Sequence, residues 1–282
     1  MPVTIRDALA QAEASLLAAA IHPAAREARW LLDHVLQLQH SSQLLSPETT
    51  VSEPDLSRFL SLIRKRTEQY PLQYLIGSVD FCGCVLSVSP DVLIPRPETE
   101  YLVELFLQHP RIHSGHLTCA DLGTGSGCLA IVLAAALPDS HWWAGDISEA
   151  ALAVARRNAE ENGVADRINF CHGSWFDAFP KDIRFDCIVT NPPYVSPRES
   201  LPPDVLYEPH QALFSERDGY QDYDRIIRTL PARLNPGALF MGEFGLNQES
   251  RLNDYAQAAG FTNVYFKQDL TNRTRYIVIV NS

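Results

Sequence analysis

The stretch LTCADLGTGSG, residues 117–127, is the clearest indication of the fold that we expect for this chain. Its first six residues have the apolar content of a buried strand, and the run CLAIVLAAAL that follows at 128–137 is typical of a helix. Between the two, glycines alternate with other residues in the order G-x-G-x-G. Glycine lets the backbone come close to a ligand, and the helix N-terminus adds the positive end of a dipole. The stretch therefore predicts a ligand site at the end of a buried parallel strand.

An acidic residue after the next predicted strand indicates what kind of ligand this is. The run HWWAGD at 141–146 ends in Asp146, whose carboxylate can accept hydrogen bonds from both ribose hydroxyls. Glycines in this spacing after Asp121 are typical of adenosyl-containing cofactors and differ from the G-x-G-x-x-G of dinucleotide enzymes. Trp175 lies just past another predicted strand, at 167–171, where its indole could pack on an adenine or simply fill the core. We expect a nucleoside site here rather than a simple turn.

A second chemical element is the tetrapeptide NPPY at 191–194, which follows the apolar run FDCIVT at 185–190. Proline lacks an amide hydrogen and fixes φ near about −65°, so the tetrapeptide predicts a stiff, extended turn at the carboxyl end of a strand. Such a turn points the Asn191 amide and the Pro192 carbonyl outward beside the Tyr194 ring. Two acceptors above an aromatic face suit a planar NH2 group. The pattern alone also allows a rigid loop with no chemical role.

Helical and strand patterns divide the rest of the chain. Three amphipathic helices are predicted before residue 70, and a short hairpin is predicted from Phe81 to Val88. Strands predicted at 264–267 and 275–280 complete a sheet of about seven strands. We therefore expect an α/β protein with a helical N-terminal domain at 1–77, a hairpin linker at 78–95 and a ligand-binding domain at 96–282.

Composition narrows the possible partners. The chain has 282 residues, a net charge of −11 and 46% hydrophobic residues, which is enough for a full core. Tight non-specific binding of nucleic acid needs clustered Lys and Arg, and neither half of this chain is basic. The cluster Arg64-Lys65-Arg66 is better explained as favourable charge at a helix C-terminus. We expect no direct contact with nucleic acid.

The cysteines and the apolar runs indicate the compartment. The six cysteines form no C-x-x-C pair, and Cys82-Gly83-Cys84 has no partner pair, so we expect reduced thiols and no metal site. No run approaches about 18 apolar residues, and no signal peptide is visible. We expect a cytoplasmic protein that does not enter a membrane.

Together these elements resemble the release factor glutamine methyltransferases, the PrmC or HemK family. The matching residues are the segments 71–77 and 93–100 (LIPRPETE), Asp121 to Gly127, Asp146, Trp175, Asn191 to Tyr194, Glu208-Pro209 and Asp218-Gly219. An Asn-Pro-Pro-Tyr tetrapeptide alone occurs in many methyltransferases that act on amino groups. Joined to Ile-Pro-Arg-Pro-Glu-Thr-Glu, it is highly specific for this family.

The resemblance implies an α/β fold: a Rossmann-like, seven-stranded class I methyltransferase domain with a small N-terminal helical bundle that docks the partner. It implies S-adenosyl-L-methionine as methyl donor, S-adenosyl-L-homocysteine as product and no metal. The implied substrate is the glutamine of the Gly-Gly-Gln loop in class 1 peptide chain release factors, methylated at N5. We further expect a monomer.

The resemblance also assigns roles to single residues. The cofactor would be bound by Gly123, Thr124, Gly125, Ser126, Gly127, Asp146, Trp175 and Asn191, with Asp146 at the ribose and Trp175 beside the adenine. The glutamine amide would be bound by Asn191, Pro192, Pro193 and Tyr194. Of these, Asn191, Pro192 and Tyr194 would be catalytic, because two acceptors and a flat ring can align the amide nitrogen with the methyl group.

The chain departs from the family pattern near its C-terminus and at one aromatic position. Asn272 and Thr274 replace a usual glycine and aspartate, and Tyr207 replaces a more usual Phe. Asn tolerates the left-handed conformation better than most residues, so we expect the shape of that C-terminal loop to be kept.

Three other functions stay open on the sequence. An adenine-N6 methyltransferase of nucleic acid would use the same acceptor pair, although the charge of −11 argues against it. A glutamine methyltransferase of a ribosomal protein would share the glycine turn and Asn-Pro-Pro-Tyr, whereas the helical N-terminal segment favours the release factor. A non-catalytic cofactor-binding scaffold would not need an intact Asn191 to Tyr194.

Overall fold

A computed structural model describes residues 2–38, 46–113 and 115–281. The chain forms two compact units. The first unit contains the residues up to 77 together with 202–207, and the second contains 78–201 and 208–282. The hairpin segment that the sequence suggests as a linker thus falls within the second unit.

The first unit is helical. Its helices are α1 (Ile5–Ala18), α2 (Ala24–Val35), α3 (Glu53–Thr67) and α4 (Leu72–Ile76). Thr4 caps α1, because its side chain accepts from the Asp7 amide while Asp7 reaches back to the Thr4 amide. Apolar residues at helical spacing, among them Leu16, Leu31 and Phe59, form a separate core. The sequence predicts three of these helices, and α4 is a further short one.

The second unit is built on a sheet of seven strands in the order β5-β4-β3-β6-β7-β9-β8. The strands are β3 (Leu117–Leu122), β4 (Ser140–Asp146), β5 (Ile168–His172), β6 (Phe185–Thr190), β7 (Leu234–Glu243), β8 (Asn263–Gln268) and β9 (Thr274–Val280). Strands β3 to β7 pair in parallel, and β9 runs antiparallel to both β7 and β8. The predicted seven-stranded α/β fold is confirmed.

Helices and a hairpin complete this unit. They are β1 (Ser78–Phe81) and β2 (Cys84–Ser87), then α5 (Pro97–Leu107), α6 (Cys128–Ala136), α7 (Glu149–Glu161), α8 (His210–Leu213), α9 (Glu216–Gly219), α10 (Gln221–Arg233) and α11 (Glu249–Ala258). The hairpin is joined to α7, since the Asn158 side chain accepts from the Ser87 amide and donates to the Ser87 carbonyl. Phe81 and Leu86 of the hairpin are buried in the core under one face of the sheet.

The strand order determines where a ligand can bind. From β3 the chain moves outward through β4 and β5 on one side, then returns to place β6 and β7 on the other. Ligands of open α/β sheets bind at such a reversal, outside the carboxyl ends of the strands. Leu122 of β3 pairs with Thr190 of β6, so the glycine turn and the Asn-Pro-Pro-Tyr turn leave the sheet side by side.

Two further features concern the sequence predictions directly. Asn272 has φ of 62°, so it takes the left-handed conformation that we expect at this departure from the family pattern. Within residues 2–38, 46–113 and 115–281, helices fall short of the length and apolar character needed to cross a membrane.

Candidate functional site

A cavity of about 270 Å³ lies at the carboxyl ends of β3, β4 and β6. This is near the lower end of the roughly 300–1,000 Å³ typical of small-molecule sites. Of the residues predicted from sequence, those that line it are Gly123, Gly125, Asp146, Trp175, Asn191 and Pro193. The other predicted residues, which are Thr124, Ser126, Gly127, Pro192 and Tyr194, are not among those that line it.

The glycine turn is held by its own residues. Gly123 has φ of +72°, and a Cβ on it would lie 3.2 Å from Cζ3 of Trp175, so glycine lets the indole approach the turn. Thr124 donates its hydroxyl to Asp121 at 2.6 Å. Gly127 caps α6 with φ of +84°, and a Cβ there would come within 2.8 Å of Ile131. Thr124 and Gly127 therefore shape the turn, whereas Gly123 and Gly125 form the surface that it presents to the cavity.

Asp146 joins the end of β4 to the glycine turn. Its Oδ2 accepts from the Gly125 amide at 2.9 Å, and its Oδ1 accepts from the Ser148 amide at 2.8 Å. Burial raises the pKa of the Asp146 carboxyl, and these backbone donors oppose the increase. A carboxylate oxygen has more than one lone pair, so each oxygen can still accept from a ligand hydroxyl.

Trp175 is fixed in place by a residue that the sequence did not single out. Its backbone is left-handed, with φ of 51°, and its indole Nε1 donates to Asp222 at 3.1 Å. Asp222 also lines the cavity. The only sequence signal for Asp222 is its place as an acidic residue in the first turn of α10. Acidic residues are common there because they interact favourably with the helix dipole, so the signal does not point to a ligand.

The Asn-Pro-Pro-Tyr turn is anchored from behind at both ends. Asn191 donates its Nδ2 to Oγ1 of Thr99 at 3.0 Å, and the Tyr194 hydroxyl donates to Oε1 of Glu243 at 3.2 Å. The Tyr194 carbonyl accepts from the side chain of Gln248 at 3.1 Å. Burial raises the pKa of the Tyr194 phenol, so the hydroxyl keeps its proton near neutral pH. Sequence reasoning missed Glu243, although a carboxylate at the end of a long buried strand is a usable signal.

Glu208 connects two segments that the sequence identifies separately. It is 5% exposed, and its carboxylate accepts from the Ile94 amide at 3.0 Å and from the Arg96 guanidinium. The Ile-Pro-Arg-Pro-Glu-Thr-Glu segment is thus tied to Glu208-Pro209. Because Pro209 lines the cavity, this ion pair fixes one of its walls.

The charged residues that line the cavity indicate which charge its ligand carries. Asp91, Asp146 and Asp222 all line it, with Arg225 as a cation on the same wall. Arg225 is already bound to Asp177 and Ser174. Acidic walls favour a ligand with positive charge over one with several phosphates. Among the described residues, we find no group of three or more His, Cys, Asp or Glu side chains arranged to hold a metal ion.

The fold and this site define a class I methyltransferase. A methyltransferase from Pyrococcus furiosus has the same fold, with a TM-score of 0.55 at 15% identity over 82% of this chain and 100% of its own. The family described as "Methyltransferase small domain" matches residues 98–208, and the one described as "PrmC N-terminal domain" matches residues 7–77.

Two curated relatives narrow the class. The release factor glutamine methyltransferase of Cereibacter sphaeroides is 39% identical over 274 residues, which are 96% of each chain. That of Geobacter sulfurreducens is 36% identical over 94% of this chain and 93% of its own. The chain belongs to the release factor glutamine methyltransferase family, which confirms the resemblance seen in its sequence.

Proposed function

We propose that this protein transfers a methyl group from S-adenosyl-L-methionine to the side-chain N5 of the glutamine in the Gly-Gly-Gln loop of class 1 release factors. One observation carries the proposal: Asn191 lies on the wall of the same cavity as Gly123, Gly125 and Asp146. A group that can accept from a substrate amide thus adjoins a turn suited to an adenosyl cofactor. Membership of the release factor glutamine methyltransferase family supports the choice of glutamine as substrate.

The residues of the cavity fit S-adenosyl-L-methionine. Asp146 would accept from the ribose hydroxyls, and the exposed Ile147 and the Trp175 indole offer apolar surface for the adenine. Gly123 and Gly125 would let the cofactor lie against the backbone. The acidic wall suits a molecule with a sulfonium and an ammonium group. When bound, this cofactor supplies a methyl group on a positively charged sulfur, and the sulfur leaves as a neutral thioether when a nucleophile bonds to the methyl carbon.

The substrate nitrogen presents the chemical problem, because an amide lone pair is delocalised into its carbonyl. Asn191 Oδ1 and the Pro192 carbonyl would accept the two N–H bonds and so orient the nitrogen. Positioning of this kind can supply up to about 7–11 kcal/mol of a barrier. The same acceptors stabilise the positive charge that the nitrogen gains as it bonds to the methyl carbon, until one N–H proton passes to solvent and leaves a neutral amide. Packing of the Tyr194 ring on the substrate amide remains a prediction.

The proposal also includes the docking segment, the compartment and the oligomeric state. We expect the N-terminal helices to dock the release factor, and the cytoplasm, where release factors work, to be the site of the reaction. We also expect a monomer that contacts its protein substrate without nucleic acid. The net charge of −11 supports the absence of direct nucleic-acid binding.

Mass spectrometry tests the reaction directly. Purified release factor, free tRNA and duplex DNA would each be incubated with this protein and isotopically labelled S-adenosyl-L-methionine. One methyl group on the Gly-Gly-Gln glutamine alone is the expected result. Label in nucleic acid would refute the proposed substrate and leave the acceptor role of the tetrapeptide standing.

Asn191→Ala tests the acceptor role. We expect turnover to fall by about 100-fold or more, as when a donor of an oxyanion hole is removed. Because Asn191 is only one of several cofactor contacts in the proposal, isothermal titration should still detect binding of S-adenosyl-L-homocysteine. Turnover close to that of the unmodified protein would refute the role.

A further inference from the structure

A chain of hydrogen bonds leads from Asn191 into the interior. Asn191 Nδ2 donates to Thr99 Oγ1 at 3.0 Å, and Thr99 Oγ1 donates to Oε2 of Glu243 at 2.7 Å. Thr99 is 2% exposed and Glu243 is fully buried. The three side chains come from the loop after β6, the first turn of α5 and the end of β7. Three separate elements thus meet behind one amide of the candidate site.

The number of protons available in this chain of hydrogen bonds determines which group donates in each of them. An ionised carboxylate only accepts hydrogen bonds, and a threonine hydroxyl has a single proton to donate. The Thr99 hydroxyl gives that proton to Glu243, so it can only accept from Asn191. Asn191 must therefore turn its NH2 group inward. Its Oδ1 is then the atom that the amide offers on the other side, where Asn191 lines the cavity.

We propose that Thr99 and Glu243 are positioning residues that set the orientation of the Asn191 amide, so that its oxygen faces the substrate nitrogen. This inference rests on the proposed function, in which Asn191 Oδ1 accepts from the glutamine amide. An inverted amide would present its own NH2 group to the substrate NH2 group, and two donors repel each other. The orientation of one side chain then decides whether the substrate can be held.

The far side of Glu243 is bound by donors as well. Its Oε1 accepts from the Tyr194 hydroxyl at 3.2 Å and lies 3.5 Å from the Arg275 guanidinium, which also donates to that hydroxyl at 3.1 Å. Burial raises the pKa of Glu243, while the Thr99 hydroxyl, the charge of Arg275 and the Tyr194 hydroxyl lower it. One carboxylate thus anchors Asn191 through Thr99 and Tyr194 directly.

Glu243→Gln reverses the direction of these hydrogen bonds without removing them. Arg275 and the Tyr194 hydroxyl are donors, so they select the amide oxygen of the glutamine on their side. Its NH2 group then faces Thr99, which accepts from it and donates to Asn191 Oδ1. The Asn191 NH2 group now faces the cavity. Since a side chain of the same shape occupies the site, the fold is expected to survive.

Steady-state kinetics with a purified release factor tests the inference. Glu243→Gln should lower kcat by about 100-fold, the cost of losing an aligned polar group at a reacting centre. Thr99→Val should lower kcat by about tenfold or more, because the Asn191 NH2 group loses the acceptor that holds it, and a small misplacement at a reacting centre is costly. Thr99→Ser keeps the hydroxyl and should stay within about threefold of the unmodified protein. The Kd of S-adenosyl-L-homocysteine should change by less than about threefold in all of them.

A double variant separates positioning from mere support. A carboxylate at position 191 only accepts hydrogen bonds. In Asn191→Asp combined with Glu243→Gln, one of its oxygens therefore still accepts from the reversed Thr99 hydroxyl, while the other restores an acceptor that faces the substrate. We expect the double variant to exceed Glu243→Gln alone by about fivefold in kcat. A role in stability alone would give no such recovery.

Ser140→Ala is the matched control. The Ser140 hydroxyl is also buried and also accepts once and donates once, from Trp142 Nε1 and to the Leu137 carbonyl, but it stands at the opposite end of the sheet. Its loss should reduce stability and leave kcat within about threefold.

The outcomes distinguish the two proposals. Failure of the unmodified protein to methylate the release factor would overturn the proposed function. Normal turnover of Asn191→Ala would overturn the acceptor role of Asn191, and the positioning role with it. Loss of turnover in Asn191→Ala together with unchanged kcat in Thr99→Val and Glu243→Gln would overturn only the positioning role.

Discussion

Among the residues around the glycine turn, Asp121 is a buried carboxyl group. It is 1% exposed, and its Oδ2 accepts from Thr124 and from the Ala130 amide, whereas its Oδ1 has no partner in the described part of the chain. Burial is the main cause that raises the pKa of Asp121 to about 7, and the charge of Asp146 adds to it. Asp121 therefore changes charge in the physiological range, directly beneath the glycine turn.

Asp121→Asn tests this charge. The folded protein holds the Asp121 proton more tightly than the unfolded chain, so stability is greatest at low pH and falls as the pH rises from about 4 to about 7. Asp121→Asn removes this charge, so the variant should not show this loss. Relative to the unmodified protein, its free energy of unfolding should rise by on the order of 3 kcal/mol between about pH 5 and about pH 8. Thermal unfolding at both values measures this. The exposed Asp166→Asn serves as control, and an equal shift in both variants would contradict the assignment.

At the scale of elements, the Asn-Pro-Pro-Tyr turn depends on the turn at α9. Gly219 has φ of +88°, and a Cβ on it would lie 2.2 Å from the Tyr194 carbonyl oxygen. Gln248 donates to both the Tyr194 and the Gly219 carbonyls. The two turns are therefore packed backbone to backbone, and only glycine allows that approach.

A pair of glycine variants separates this contact from backbone strain. Gly260 has φ of +91° with no atom near its missing Cβ, so Gly260→Ala should cost only about 1 kcal/mol of stability for the left-handed conformation. Gly219→Ala carries the same strain and in addition displaces Tyr194, so turnover should fall by about tenfold or more. Denaturant unfolding and turnover of both variants measure the two effects. Similar turnover in the pair would show that the close contact is not needed.

At the scale of the whole molecule, the first unit is assembled from separate parts of the chain. Tyr207, from the segment 202–207, donates its hydroxyl to the Glu68 carbonyl at 3.0 Å, and its ring packs on Tyr70. Deeper in this unit, Arg66 and Glu27 form a buried ion pair at 2.6 Å between α3 and α2. Removing one member of such a pair leaves a charge stranded in the interior.

Two arginines of α3 give a matched test. Arg66→Met should destabilise the helical unit by about 3–5 kcal/mol, because Glu27 stays buried without a partner. Arg64 pairs with Glu68 on the surface at 3.7 Å, so Arg64→Met should cost less than about 0.5 kcal/mol. Hydrogen exchange of the amides of α2 and α3 measures both. Equal protection in the two variants would contradict the difference.

The fold class, the seven strands of the main sheet, most of the longer helices, the glycine turn, the Asn-Pro-Pro-Tyr turn and the family could all be predicted from the sequence. These features are local: apolar spacing, glycine and proline restrict the backbone wherever they occur. Asp146 ends one strand and Asn191 directly follows another, and both could be found because parallel strands end at a common edge of the sheet.

The contacts that hold these elements in place are visible only in the folded structure. Thr99 and Asn191 are 92 positions apart, Thr99 and Glu243 are 144 apart, and Ile94 and Glu208 are 114 apart. A buried hydrogen bond between such residues leaves no periodic trace in the sequence, because each partner satisfies the other only after the strands and helices have packed. The residues that can bind a substrate are therefore visible in the sequence, whereas the residues that orient them become visible only in the fold.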